Sequence, residues 1–214
     1  MTQQGDGAGA GTMAMAVCER VEFAELLDSL SPEQWDATTL CERWSVRDVV
    51  AHAISYEELG WGGLAARLAR AGFNVDKANA IGVAEYSPRP TAELVRILRK
   101  YQRPRGLTAL RGGMIALVDG MIHQQDIRRP LGLPREIPHD RLRTALRLAL
   151  QAPPIGAAKR ARGLTLVASD LDWTHGDGPE VRGRGESVLM AIAGRGEAVD
   201  ELSGPGRSLL VERT

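Results

Sequence analysis

Leu40-Cys41-Glu42-Arg43-Trp44-Ser45-Val46-Arg47-Asp48-Val49-Val50-Ala51-His52 is the stretch on which the fold turns. Ser45 offers an N-cap hydroxyl, and Asp48 follows three residues later, where a carboxylate answers the helix dipole. Val46, Val49, Val50, Ala53 and Ile54 then lay down an apolar stripe, so the pattern predicts a helix from about Ser45 to Leu59. At 3.6 residues per turn, His52 lies about 60° around the helix from Val49 and borders the stripe instead of facing away from it. An imidazole so placed is either a metal ligand or a packed histidine bonded to a neighbouring carbonyl.

Upstream, Val17, Val21, Phe23, Leu26, Leu27 and Leu30 recur mostly at spacings of three and four and predict an amphipathic helix. It stops at Ser31-Pro32-Glu33, because proline fixes its own φ and restricts the residue before it. Residues 1–12, mostly Gly, Ala, Gln and Thr, read as a flexible tail. Downstream, 61–71 continue as helix, 72–90 read as a connection, and Thr91 caps a helix carrying Leu94, Val95, Ile97 and Leu98. From Leu107 to Ile127 the residues Leu110, Met114, Leu117, Val118, Met121 and Ile122 keep helical spacing. Gly112 and Gly113 weaken the start of that helix, and Pro130 stops it.

A further helix over about Asp140–Leu150 precedes Pro153-Pro154, after which the pattern changes. Leu164–Val167 and Asp170–Thr174 resemble short strands, and His175-Gly176-Asp177-Gly178-Pro179 carries turn chemistry. Ser187–Ala193 reads as helix and Ser208–Val211 as a closing strand. The expectation is an α+β chain: a helical domain over 13–152, then a small α/β domain over 153–214.

The chain has 214 residues, 43% of them hydrophobic, enough to bury a core without covalent staples. Twenty-seven basic and 27 acidic residues cancel, and no basic stripe with interleaved aromatics tracks a phosphate backbone, so nucleic acid is not expected as a partner. Cys18 and Cys41 make neither a disulfide framework nor a zinc-knuckle spacing and read as buried or idle thiols. No basic, apolar leader and no run of 18 apolar residues is present, which reads as a reducing cytoplasm without membrane attachment.

Asp119 and His123 are spaced i, i+4, which puts a carboxylate and an imidazole on one helix face within reach of a shared ion. The same spacing suits an ordinary surface pair, and this face lies largely opposite the stripe of Met114, Val118 and Met121. With His52, these two would give three protein ligands from two helices and leave one coordination position open, as catalytic zinc sites do. Asp126 either orients a ligand histidine or belongs, with Arg128 and Arg129, to a solvated helix end. His139 and His175 read as exposed. Trp35, Trp44 and Trp173 read as packing residues. Gly183-Arg184-Gly185 lacks the lysine of a phosphate loop.

The stretch 40–52 resembles the signature helix of the mycothiol-dependent maleylpyruvate isomerase-like family, within the DinB-like helical bundle superfamily. There a tryptophan and a VxDVVAH run lead into the first metal histidine. Residues 119–132, Asp-Gly-Met-Ile-His-Gln-Gln-Asp-Ile-Arg-Arg-Pro-Leu-Gly, are similar to the family's second signature, although the family usually carries glutamate where Asp119 stands. The resemblance also covers Leu171-Asp172-Trp173, Gly178-Pro179-Glu180-Val181 and the Gly194-Arg195 turn, and it makes Arg195 the arginine that helps bind the anionic thiol or substrate.

The resemblance implies a DinB-like four-helix bundle with a small C-terminal α/β domain. It implies a divalent metal, zinc or similar, on His52, Asp119 and His123, with Asp126 and Arg195 as further active-site residues. The expected partners are a low-molecular-weight thiol, mycothiol, and a small electrophilic substrate for isomerisation or S-transfer, in a monomer or homodimer. A non-catalytic metal-binding or small-molecule-binding protein on the same scaffold is the alternative.

Overall fold

The computed structural model describes residues 4–214, with side chains from residue 11 onward. The chain divides into two compact units, 1–134 and 135–214.

The first unit contains α1 (Gln4–Ser29), α2 (Pro32–Trp35), α3 (Val46–Ile54), α4 (Trp61–Arg70), α5 (Val75–Tyr86), α6 (Thr91–Lys100) and α7 (Leu110–Arg128). Helices α1, α3, α6 and α7 pack into a four-helix bundle, while α4 and α5 form a hairpin laid on α3 through α5. Phe23, Leu27, Val49, Val50, Ile54, Leu94, Ile97, Leu98 and Ile127 form its apolar centre. A buried ion pair ties the bundle together away from the apolar stripes. Arg20 of α1 donates to Glu57, just beyond α3, and to the carbonyl of Tyr101 at 2.5 Å. Glu57 also accepts from Thr108 and from the backbone N–H of Arg105. Three donors thus meet a carboxyl side chain that has no exposed surface, as burial of a charge demands.

Three local expectations change. The described part of the supposed flexible tail, 4–12, continues α1, since each residue added to an existing helix gains a hydrogen bond without a new nucleation cost; residues 1–3 lie outside the described residues. The supposed connection 72–90 contains α5, capped by the Asn74 side chain on the N–H of Lys77 at 2.9 Å. Its buried face is Ala78, Gly82 and Tyr86, too small to register as an apolar stripe. Helix α7 is not amphipathic: nearly every residue from Gly113 to Ile127 is buried, so the Asp119/His123 side faces protein as much as the methionine side does. Near its start the helix is kinked, with Arg111, Gly112 and Gly113 all left-handed, at φ 53°, 69° and 87°, a conformation that glycine adopts without a Cβ clash.

The second unit contains α8 (His139–Ala149), α9 (Ala157–Ala161), β1 (Thr165–Ala168), β2 (Trp173–His175), β3 (Glu180–Gly183), α10 (Gly185–Ile192), α11 (Gly196–Val199) and α12 (Arg207–Val211). The sheet order is β2-β1-β3, antiparallel between β1 and β2 and parallel between β1 and β3. Gly176 and Gly178 make the turn possible, because a Cβ there would lie 2.2 Å from the Leu164 carbonyl oxygen and 2.4 Å from that of Gly163. Helix α8, expected in the first domain, packs on α10 of this unit, which moves the boundary from residue 153 to 135. The expected closing strand 208–211 is α12. Ser203 has already paired with Arg182 on the β3 edge, and only Leu210 of α12 is buried.

No helix among the described residues is long and apolar enough to cross a membrane.

Candidate metal centre

The turn before α3 and the middle of α7 build the site together. Thr39 accepts from the N–H of Cys41 at 3.1 Å and donates to the Trp44 carbonyl at 2.9 Å, while the Trp44 N–H reaches the Cys41 carbonyl at 3.0 Å. Arg43 turns the chain at φ 68°, and Leu40 N–H docks on the Asp126 carbonyl at 3.0 Å. Ser45 and Asp48 then form a reciprocal capping box that starts α3 and sets the direction in which His52 leaves it.

His52 and His123 meet edge to face, their ring centroids 4.9 Å apart at 80°. Trp44 covers both, at 4.9 Å from His52 and 6.4 Å from His123, and Tyr56 stands edge-on to His52 at 6.3 Å. One oxygen of Asp119 lies 3.3 Å from Nε2 of His123 and 3.6 Å from Nε2 of His52. Both histidines are buried, whereas the Asp119 side chain is 38% exposed and marks the side open to solvent.

Charge within the cluster is strongly coupled. Burial alone would push the Asp119 carboxyl up, but the imidazoles of His123 and His52 outweigh it and hold Asp119 well below the usual carboxylate range. Burial would likewise lower His123. The facing Asp119 carboxylate, helped by hydrogen bonds to Asp126 and Cys41, instead raises it well above an ordinary histidine.

These side chains fit a divalent cation. Two imidazoles and a carboxylate are borderline-to-hard donors suited to zinc, and their ligand atoms lie within 4.8 Å of one another. The N···O separations of 3.3 and 3.6 Å exceed the ~2.7–2.9 Å of a charge-assisted hydrogen bond. They match the edge of a zinc tetrahedron with ~2.1 Å bonds, which is about 3.4 Å.

The two rings are secured differently. Nδ1 of His123 lies 2.9 Å from Oδ2 of the fully buried Asp126, whereas the buried Nδ1 of His52 has no hydrogen-bond partner among the described residues. Packing against Trp44, Tyr56 and His123 therefore sets the His52 ring. Asp126 belongs to the buried cluster and not to a solvated helix end.

Residues 16–121 match the family model described as the mycothiol maleylpyruvate isomerase N-terminal domain. The first unit thus carries this family's domain. The fold of a maleylpyruvate isomerase extends over both units: a crystal structure of the mycothiol-dependent maleylpyruvate isomerase is similar at TM-score 0.53 and 14% identity, over 91% of this chain and 92% of that one. A crystal structure of a histidine-to-alanine mutant of a mycothiol-dependent maleylpyruvate isomerase is similar at TM-score 0.52 and 15% identity, over the same shares. No curated protein matches the sequence.

Of the residues expected from the sequence, the structure brings His52, Asp119, His123 and Asp126 together. Arg195 is in the second unit, N-terminal to α11, where its guanidinium donates to the Ala193 carbonyl at 2.9 Å. The sequence alone assigned no role to two residues of this candidate site. Trp44, read as packing, is packed on both histidines. Cys41, read as a buried or idle thiol, donates its S–H to Asp126 at 2.9 Å and lies 3.6 Å from Nδ1 of His123. The available signal was position: both fall in the turn leading straight into the capped helix that carries His52.

Proposed function

We propose that this chain is a divalent-metal enzyme that activates a low-molecular-weight thiol, mycothiol being the one the family name suggests, for isomerisation or S-transfer on a small electrophile. The observation that carries the reading is the convergence of two imidazole Nε2 atoms from different helices on one Asp119 oxygen, at 3.6 and 3.3 Å. His52, His123 and Asp119 would hold the ion, zinc fitting the donor set best, and one coordination position would remain for the thiol. A cation there favours the thiolate, which is the nucleophile, over the thiol.

The protein's own groups do the rest. Asp126 accepts a hydrogen bond from the Nδ1–H of His123, so that Nε2 keeps its lone pair toward the site. Trp44 closes one side of the histidine pair and keeps water from it. The exposed rim at Asp119 is the route by which thiol and electrophile enter. Arg195 is proposed as the cationic partner of the anionic thiol or substrate, so Arg195→Ala should raise KM for the thiol and leave metal content unchanged.

Elemental analysis of untagged protein prepared without chelators, beside His52→Ala and His123→Ala, tests the reading. The expected result is about one divalent ion per chain, lost in both variants; full metal retention in His52→Ala would overturn the ligand set. A metal-loaded protein with no thiol-dependent turnover would point instead to a non-catalytic binding protein. The shorter Asp119 carboxylate favours that second reading.

A further inference from the structure

A second group of donor atoms shares His123 with the proposed metal set. Cys41 Sγ, His123 Nδ1 and Asp126 Oδ2 also lie within 4.8 Å of one another, on the opposite edge of the same imidazole. Distances separate the two groups. In the second, Sγ···Oδ2 and Nδ1···Oδ2 are both 2.9 Å. A zinc ion with bonds of ~2.3 Å to sulfur and ~2.0 Å to oxygen would hold those atoms about 3.5 Å apart. Protons, and not a cation, span this cluster.

The cluster is also anchored as a unit. Asp126 has no exposed surface, and a carboxylate buried this deeply needs donors. Cys41 supplies one as an S–H and His123 another as an N–H. The turn bearing Cys41 is pinned to the same residue by Leu40 N–H on the Asp126 carbonyl at 3.0 Å, and Thr39 fixes the Cys41 backbone. The sulfur therefore reaches α7 from a separately built loop.

We infer that Cys41 is a positioning residue for the metal centre: its thiol proton fixes Asp126, Asp126 fixes the Nδ1–H of His123, and Nε2 of His123 is thereby turned toward Asp119. This rests on the metal-centre reading proposed above. No bond to sulfur forms or breaks, and the thiol acts only as a donor.

The test compares wild type, Cys41→Ser and Cys41→Ala by zinc affinity in competition with a chromophoric chelator, by the visible spectrum of the cobalt(II)-loaded protein, and by Tm without metal. Loss of a ligand-orienting group lowers metal affinity by about 10–100-fold. That loss is expected in Cys41→Ala together with an altered cobalt spectrum, and Cys41→Ser, which keeps a donor, should recover most of it. A packing role alone would lower Tm and leave the affinity of folded protein and the cobalt spectrum unchanged. If Cys41→Ala does not fold, methylthiolation of Cys41 with a methanethiosulfonate in folded Cys18→Ser protein removes the same proton. Zinc-binding wild type matched by Cys41→Ala would overturn the role of Cys41 alone, whereas wild type that takes up no zinc or cobalt would overturn the metal reading itself.

Discussion

Nδ1 of His123 lies 2.9 Å from Oδ2 of Asp126, on the ring edge away from the Nε2 that faces Asp119 at 3.3 Å. One imidazole thus joins a buried carboxylate to a solvent-facing one, and its tautomer is set from the buried side. Asp126→Asn keeps the shape of the side chain and removes the charge. Zinc affinity is expected to fall about 10–100-fold while circular dichroism remains that of wild type. Unchanged affinity in a chelator competition would show that Asp126 does not orient His123.

The coupled charges give the metal-free protein a defined pH response. His123 is raised above its unfolded value, so its contribution to stability is complete below about pH 6.5 and disappears as pH rises through its folded value. Asp119 is lowered, so its contribution is present above about pH 3.9 and disappears as pH falls through its folded value. With a chelator present, Tm should hold across the window between these limits and decline on the alkaline side. Zinc must displace the His123 proton, so the Tm gain from added zinc should grow with pH. A zinc-induced gain that shrinks from pH 6 to pH 8 would contradict the pairing.

Gly82 reverses a usual rule. In an open helix, glycine to alanine gains up to ~1 kcal/mol. A Cβ at this position would lie 2.4 Å from Ser55 Oγ and 2.9 Å from Arg67 Nη1, inside the contact between α3 and the α4–α5 hairpin. Arg67 is itself buried and holds Ser55 at 3.1 and 3.2 Å and Glu85 at 2.8 Å. Gly82→Ala should destabilise by about 1–3 kcal/mol in urea unfolding; a stabilised variant would show that the hairpin yields.

Glu57→Gln tests the buried ion pair. Arg20 and Glu57 side chains are 5% and 0% exposed, so removing the negative charge leaves an uncompensated guanidinium inside the bundle. The expected cost is about 3–5 kcal/mol, with little change in the double variant Arg20→Met/Glu57→Gln relative to Glu57→Gln. Additive losses in that double-mutant cycle would mean that the two residues act independently.

Much of the bundle was legible because its helices announce themselves by caps and stripes. Ser45, Asp48 and the valines of α3 are one example, and Leu94, Val95, Ile97 and Leu98 of α6 another. Where burial is achieved with small residues, as at Ala78 and Gly82 of α5, periodicity carries no signal and the helix was missed. Around α7 the failure was of another kind. A stripe argument presumes one wet face, and a helix buried over nearly its whole circumference has none, so the acidic and imidazole side chains looked surface-bound. His52, Asp119 and His123 were singled out through spacing and family resemblance. Cys41 was not, since its partner lies 85 positions away and the contact exists only once the loop has folded onto α7.

The enclosure of α7 also bears on how such a chain can diversify. His123 and Asp126 are surrounded by neighbours that would all have to change with them, whereas Asp119, one turn away on the same helix, meets solvent over 38% of its side chain. Of the proposed ligands, position 119 is therefore the one where a substitution disturbs the fewest packed neighbours. Asp119 is the most exposed of the three, so the length of its side chain sets the reach of the carboxylate with the least disturbance to packing.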